Sequence, residues 1–221
     1  MIGRRGQKNP INTMSDLAAS HGKTRAWATI GVSGVLAAFL ILSFYSVIGG
    51  WSLNYTLSSV IGTFNGQDAD SIGALFSGML GSPTTLLLWH TAFIVLVIGI
   101  VARGVTKGLE SAARTMMPAL VVLMLILVGY GMTSGYFGET LSFMFSPDWD
   151  ALDGGVVLAA MGQAFFTLSL GMGIMMAYGS YLGEDVNLIS TARTVILLDT
   201  AIALLAGLAI FPIVFANGLS A

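Results

Sequence analysis

FFTLSLGMGIMMAYGSY, Phe165–Tyr181, lies inside a run of 30 residues, Gly154–Gly183, that carries no charged side chain. A transmembrane helix needs about 20 predominantly apolar residues, so this run is long enough to cross a bilayer. Its middle nevertheless holds Thr167, Ser169, Gly171 and Gly173 within seven positions. Glycine costs ~1 kcal/mol relative to alanine inside a helix. Backbone released from a helix at membrane depth is tolerated only where it faces protein or a water-filled cavity. Two readings follow. Either the small residues let another helix pack closely, which spacing alone favours, or the helix is broken in order to hold something.

The rest of the chain sets the context. Of its 221 residues, 55% are hydrophobic and 9% charged, against about 25% charged in a soluble domain. The charges cluster, which leaves Ala26–Gln67, Ser71–Ala102 and Thr115–Gly138 free of them, and Asp199 alone between Thr194 and Ala221. Five spans are expected, at about 26–50, 84–103, 115–135, 155–182 and 192–214. The fold class is therefore an all-α polytopic membrane protein, with a single transmembrane domain over 1–221 and a polar segment at 1–25. The first apolar run begins only at Ala26, behind Arg4, Arg5, Lys8, Lys23 and Arg25, which is too late for a signal peptide. The chain contains no cysteine, so it has no disulfide, thiolate metal site or thiol nucleophile.

If the spans alternate, all nine Lys and Arg fall on one side. Five precede the first span, Arg103, Lys107 and Arg114 join the second to the third, and Arg193 joins the fourth to the fifth. The opposite loops carry Asp68, Asp70, Glu139, Asp148, Asp150 and Asp153 without a base. The positive-inside rule then places the N-terminus in the cytoplasm and the C-terminus outside. The outer loops, about 62–83 and 136–155, are punctuated by turn-forming Pro and Gly, including Pro147-Asp148 and Gly154-Gly155. Asn54-Tyr55-Thr56 fits a glycosylation sequon but sits at a membrane edge, and it is set aside.

Polar groups inside the spans are the candidates for function. Asp199 is the one carboxylate within a span, about eight residues into the last. A charge at depth costs a few kcal/mol, so it marks a functional or paired residue unless it is shallow enough to reach water. Gln163, Thr167 and Ser169 place amide and hydroxyl groups near the middle of the fourth span. They suit interhelical hydrogen bonding. Equally, the ends of a broken helix offer carbonyls for a cation and a positive dipole end for a carboxylate. Tyr45 lies mid-span on one helical face with Ile41, Ile48 and Ser52, away from the interfacial belt where tyrosines collect. Its hydroxyl needs a partner, either structural or a ligand.

Gly31-Val32-Ser33-Gly34 resembles the GxSG motif of rhomboid intramembrane proteases, with His90 as a base. Depth argues against this remote alternative. Ser33 lies near the inner end of its span and His90 near the outer end of another, roughly 10 Å apart in depth and beyond hydrogen-bond reach. No HExxH, Walker A or GxGxxG pattern occurs in a suitable context. Neither an organic cofactor nor a nucleic-acid partner is expected, and the chain is not expected to be an enzyme.

The stretch GQAFFTLSLGMGIMMAYGSY resembles the unwound sixth helix of the neurotransmitter:sodium symporter family. IGRRGQKNP (Ile2–Pro10) is similar to the end of that family's second helix, and SFYSVIGGWSL to its third. RGVTKGLESAARTMMP (Arg103–Pro118) is similar to the junction of the fourth and fifth, SPDWDAL to the loop before the sixth, and LLAGLAIFPIVFA to the seventh. The resemblance covers nearly the whole chain. It implies part of an inverted-repeat symporter fold with one broken helix, an arrangement this family is itself known for. It also implies sodium as the coupling ion, an amino acid as substrate, and residence among lipids in a bacterial cytoplasmic membrane.

By motif position, the resemblance implies that Tyr45 contacts the substrate carboxylate and that Phe166 lids the pocket. Ser169, Leu170 and Gly171 line it through the unwound segment, and Ile41 and Met172 shape its side-chain end. Thr167 matches a ligand of the first sodium ion. Asp199 stands at a sodium-ligand position where many members have Asn. Animal members hold chloride near the positions of Gln163 and Thr167, whereas several bacterial members supply a carboxylate one helical turn beyond Asp199, where this chain has Ala203. Asp199 is therefore expected to act both as sodium ligand and as the fixed negative charge. Met172 and Ile41 point to a hydrophobic substrate, because methionine adapts to varied shapes.

The family has eleven or twelve helices, and those resembling the third to the seventh are present here. The chain is accordingly expected to be part of a longer transporter and not to transport alone. The alternatives are a short protein that acts only by assembly with a partner (the remaining helices, or further copies of itself), and a structural membrane protein without transport activity.

Overall fold

The computed structural model describes residues 1–218, without the Thr106 side chain. All regular structure among these residues is helical. In chain order the helices are α1 (Ile2–Gly6), α2 (Pro10–Ser20), α3 (Ala28–Val60), α4 (Ala69–Leu80), α5 (Pro83–Val101), α6 (Ser111–Met132), α7 (Phe137–Phe145), α8 (Gly154–Thr167), α9 (Ile174–Gly179) and α10 (Leu188–Ala216). A 3-10 turn at Arg25–Trp27 leads into α3, and a π-helical stretch at Val105–Glu110 leads into α6.

Four stretches are long and apolar enough to cross a membrane: Arg25–Val60, Pro83–Val101, Lys107–Met132 and Leu188–Ala216. They match four of the expected spans, with the first continuing beyond Gly50 as far as Val60. The expected span at 155–182 is not one helix but two, α8 and α9, separated by Leu168–Gly173. With 14 residues, α8 is about 21 Å long at 1.5 Å per residue. Neither half crosses a ~30 Å hydrocarbon core alone.

The two loops expected on the outer side contain more regular structure than their Pro and Gly suggest. Asp68 caps α4 by accepting from Ser71 N at 2.9 Å, and α7 interrupts the second loop. The polar N-terminal segment is likewise a helical hairpin. Asn9 caps α2 with Pro10 at its first position, and Lys8 pairs with Asp16 across the turn at 2.7 Å.

The chain forms two compact units, one of Met1–Val35 with the residues from Thr115 onward, the other of Leu36–Arg114. In the first, α1 lies on α2 and on α9, and α7 lies on α10. Phe143 sits edge-on to Phe211 and Phe215, with ring centroids 4.8 and 5.7 Å away. Gly131 of α6 faces buried Pro212 of α10, where a Cβ would come within 3.1 Å of Pro212 Cγ. Fully buried Thr13 and Thr140 satisfy their hydroxyls by donating to Lys8 O and Tyr136 O.

In the second unit, α3 and α5 approach closely at Gly49 and Gly50. A Cβ on Gly49 would come within 2.5 Å of the Phe93 ring, and one on Gly50 within 2.8 Å of His90 N. Trp51 and Tyr55 clasp Phe76 of α4 edge-on, at 5.4 and 6.1 Å. Asn54 Nδ2 donates to Met79 Sδ at 2.8 Å.

Pro10, Met79, Ala209 and Pro212 are the buried apolar side chains among the described residues, while the spans expose Leu87, Val95, Ile126, Leu197 and many others. A soluble domain hides such surface in its own core. These helices satisfy their backbone internally and leave their apolar side chains to the surroundings, as a bilayer allows.

Candidate functional site

The break in the fourth span is the most unusual backbone in the chain. α8 ends at Thr167, whose neighbour Leu168 donates to Ala164 O at 3.2 Å. The next two donors tighten the end, Ser169 N to Phe166 O at 3.0 Å and Leu170 N to Phe165 O at 2.9 Å. Ser169 then takes φ 54°, Gly171 φ 82° and Gly173 φ 72°. The left-handed region costs an L-residue roughly 1–2 kcal/mol. Glycine supplies that geometry freely, and Ser169 bears the cost. The helix resumes at Ile174, with Ala177 N donating to Gly173 O at 3.0 Å. Among the described residues, no backbone N–H bonds the carbonyls of Thr167 to Met172. Six consecutive carbonyl oxygens are thus available inside an apolar span, where an unsatisfied polar group costs several kcal/mol. The packing reading that spacing favours therefore does not explain Gly171 and Gly173. Positive φ does.

The side chains expected at the site fall into two groups. Phe166, Thr167, Ser169, Leu170, Gly171 and Met172 all lie along the break, with Leu168 between Thr167 and Ser169. Gln163 lies one turn before Thr167 on the same face of α8. Phe166 and Leu170 are 42% and 41% exposed, so their apolar surfaces are free to meet a ligand or another helix. Thr167 Oγ1 makes only a long bond to Ala164 O, at 3.4 Å. Asp199, the twelfth residue of α10, is half-buried, with no ion pair among the described residues. Tyr45 and Ile41 belong to the second unit, one turn apart on α3. Tyr45 is 53% exposed; its ring meets Phe44 edge-on at 6.2 Å. No cluster of three or more His, Asp or Glu occurs among the described residues. The oxygen donors on offer are hydroxyls, carbonyls and one carboxylate, which suit a monovalent hard cation better than a transition metal.

The glycines of the GxSG-like stretch have another use. Gly31 lies against Pro10 and Ile11, and Gly34 against Gly173, each close enough that a Cβ would meet backbone. They read as packing glycines. In the sequence they stand out only as a protease-like motif, which hides their link to the break. The signal was their i, i+3 spacing on a helix followed by a glycine-rich span.

The chain is thus a helical membrane chain with an interrupted span, free carbonyls at the interruption and one carboxylate in the span that follows. The chain belongs to the sodium:neurotransmitter symporter family, which matches residues 77–217. It is 40% identical over 99% of its length to the sodium-dependent transporter YhdH of Bacillus subtilis, covering 48% of that protein. It is 32% identical over 99% of its length to a sodium-dependent transporter of Haemophilus influenzae, covering 49%. It is 25% identical over 83% of its length to a human sodium-dependent neutral amino acid transporter, covering 29%. The chain thus spans about half the length of the first two relatives. No solved structure matches it. The family consists of transporters and not enzymes, which disposes of the protease alternative built on Ser33 and His90.

Proposed function

We propose that this chain contributes the third to seventh helices of a sodium-coupled symporter that moves a hydrophobic amino acid across a bacterial cytoplasmic membrane. The observation that carries this reading is the interruption at Leu168–Gly173, with the Thr167–Met172 carbonyls free and Gly171 and Gly173 at positive φ. Unwound carbonyls at the midplane are a means of coordinating sodium. The sodium-dependent relatives, among them the human neutral amino acid transporter, support the ion and the substrate class.

In this reading Thr167 and Asp199 ligate sodium. Ser169, Leu170 and Gly171 present backbone to the substrate, Phe166 covers it, Met172 and Ile41 accept its apolar side chain, and Tyr45 donates its hydroxyl to the carboxylate. Asp199 also supplies the negative charge near Gln163 and Thr167 that makes chloride unnecessary. The charge distribution supports a cytoplasmic N-terminus and an external C-terminus. The exposed apolar faces of the spans support contact with lipid, with further helices of a full-length transporter, or with a second copy.

The test is uptake of labelled leucine, methionine and phenylalanine into proteoliposomes by a full-length transporter carrying this sequence, with a sodium and then a potassium gradient. Accumulation driven by sodium alone is the expected result. Accumulation that ignores sodium, or that favours glycine or a charged amino acid, overturns the assignment. A parallel binding measurement on the 221-residue chain shows whether it acts alone or only by assembly.

A further inference from the structure

We propose that Gly3 and Gly34 are positioning residues for the break. Together with Pro10, they form a cradle of backbone and ring that fixes residues 172–176 and thereby sets where the free carbonyls and Met172 lie. This deepens the symporter reading and rests on it.

The two sides of the break are held differently. On the α8 side, a Cβ at Gly162 would find nothing within 4 Å. On the α9 side there is almost no slack. Buried Gly3 of α1 faces the carbonyl of Met176, and a Cβ there would fall on that oxygen. Gly34 of α3 lies against the turn into α9, where a Cβ would stand 3.0 Å from Gly173 N and 3.2 Å from Met172 C. A Cβ on Gly173 would in turn lie 3.4 Å from Pro10 Cγ. Beyond α9, Arg4 donates its guanidinium to Val186 O at 2.7 Å, tying the following loop to the same hairpin.

The atoms facing Gly3 and Gly34 belong to backbone, which cannot rotate aside as a side-chain tip can. A methyl group at either position must therefore move the chain at Met172–Met176. Arg4 and Pro10 limit where it can go. The shift passes directly into the carbonyls and the Met172 side chain. Misplacements of this kind can cost up to about a hundredfold in a positioned reaction.

The natural chain has no cysteine, so Met172→Cys supplies a single thiol at the break. In membranes containing this chain, its modification rate by methyl methanethiosulfonate is expected to change about tenfold when Gly34→Ala is added. Gly154→Ala, at a site with open space around it, is the control and leaves the rate as it was. Gly3→Ala should change the rate more, but its harder clash can also unfold the chain; Gly34→Ala, with its milder contact, keeps the test decisive. An unchanged rate in Gly34→Ala overturns the cradle whatever the chain transports.

The same substitution in a full-length transporter carrying this sequence should raise the KM for sodium and for substrate while leaving the maximal rate per surface molecule intact. Loss of maximal rate with KM unchanged would mean a merely structural role and would also overturn it. A parent transporter without sodium-driven uptake would refute the functional reading separately, and the thiol rate would still judge the cradle.

Discussion

α3 and the broken span carry similar chemistry and adopt opposite solutions. α3 holds Gly31, Gly34, Gly49 and Gly50 and yet runs as one helix for 33 residues. The broken span holds Gly154, Gly155, Gly162, Gly171, Gly173 and Gly179 and comes apart after Thr167. The difference lies in what each glycine faces. In α3, the space a Cβ would fill is taken by Pro10 and Ile11, by the turn at Gly173, by the Phe93 ring, and by Trp89 and His90. Those glycines admit neighbours and keep helical dihedrals. At Gly171 a Cβ would meet nothing within 4 Å, and the residue is glycine because φ is 82°. α3 uses its glycines for proximity, whereas the break uses Gly171 for handedness. Composition cannot separate the two, because both uses delete the same methyl group.

The largest expected effect separates these uses directly. Gly171→Ala places an L-residue in the left-handed region at a cost of roughly 1–2 kcal/mol and distorts the carbonyl array. In a full-length transporter it should remove most sodium-driven uptake, while the protein still inserts and is recovered in the membrane. Gly49→Ala should do the reverse. A Cβ 2.5 Å from the Phe93 ring weakens the α3–α5 contact, which lowers thermal stability in detergent while the KM for sodium stays near the parent value. If Gly49→Ala abolished sodium dependence and Gly171→Ala spared it, the comparison would be inverted.

Next in size is Tyr45→Phe. If its hydroxyl meets the substrate carboxylate, deletion removes a hydrogen bond to a charged group, worth about 1.5–3 kcal/mol. That is on the order of ten- to a hundredfold in affinity. Uptake titrated with substrate at saturating sodium should show the loss in KM. An unaltered KM would leave Tyr45 a lipid- or protein-facing residue of a structural helix and would confine the site to the break.

Asp199→Asn asks whether α10 completes the ion site. It removes the fixed charge while keeping an oxygen ligand. Uptake should become dependent on chloride, and the sodium affinity should fall. Uptake that stays independent of chloride after the substitution would sink the dual role.

Much of this was legible in the sequence. Charge-free runs gave the spans because a bilayer demands long apolar stretches, and the fourth span signalled a peculiarity through Thr167, Ser169, Gly171 and Gly173. Handedness was not legible: whether Gly171 admits a neighbour or turns the chain depends on dihedrals that one glycine does not declare. α4 and α7 were hidden by reading Pro and Gly as loop signals, although Asp68-Ala-Asp-Ser is an ordinary helix start once Asp68 is seen as a cap. The cradle was least legible, since it joins Gly3 and Gly34 to residues far along the chain, at Met172 to Met176, and Gly34 belonged to a stretch that imitated a protease motif.

The smallest expected effect concerns how ordinary helix starts differ from the start of α9. α4, α5, α8 and α10 each begin with a side-chain cap, at Asp68, Ser82, Asp153 and Asn187, whereas α9 begins at Gly173 with none. At Asp68, hydrogen bonds from the side chain and then the backbone of Ser71 hold the carboxyl below its ordinary value. A carboxyl lowered on folding stabilises the fold above its unfolded pKa, near ~3.9, and that contribution is lost as the pH falls through the folded value. Asp68→Ala should therefore lower the melting temperature slightly at about pH 7, and the gap to the parent should close in strong acid. Sodium KM should not move at either pH. A gap that persisted in acid would mean that Asp68 acts through something other than its charged cap. A shifted sodium KM would mean that α4 communicates with the break, so that capping and positioning are not separate devices in this chain.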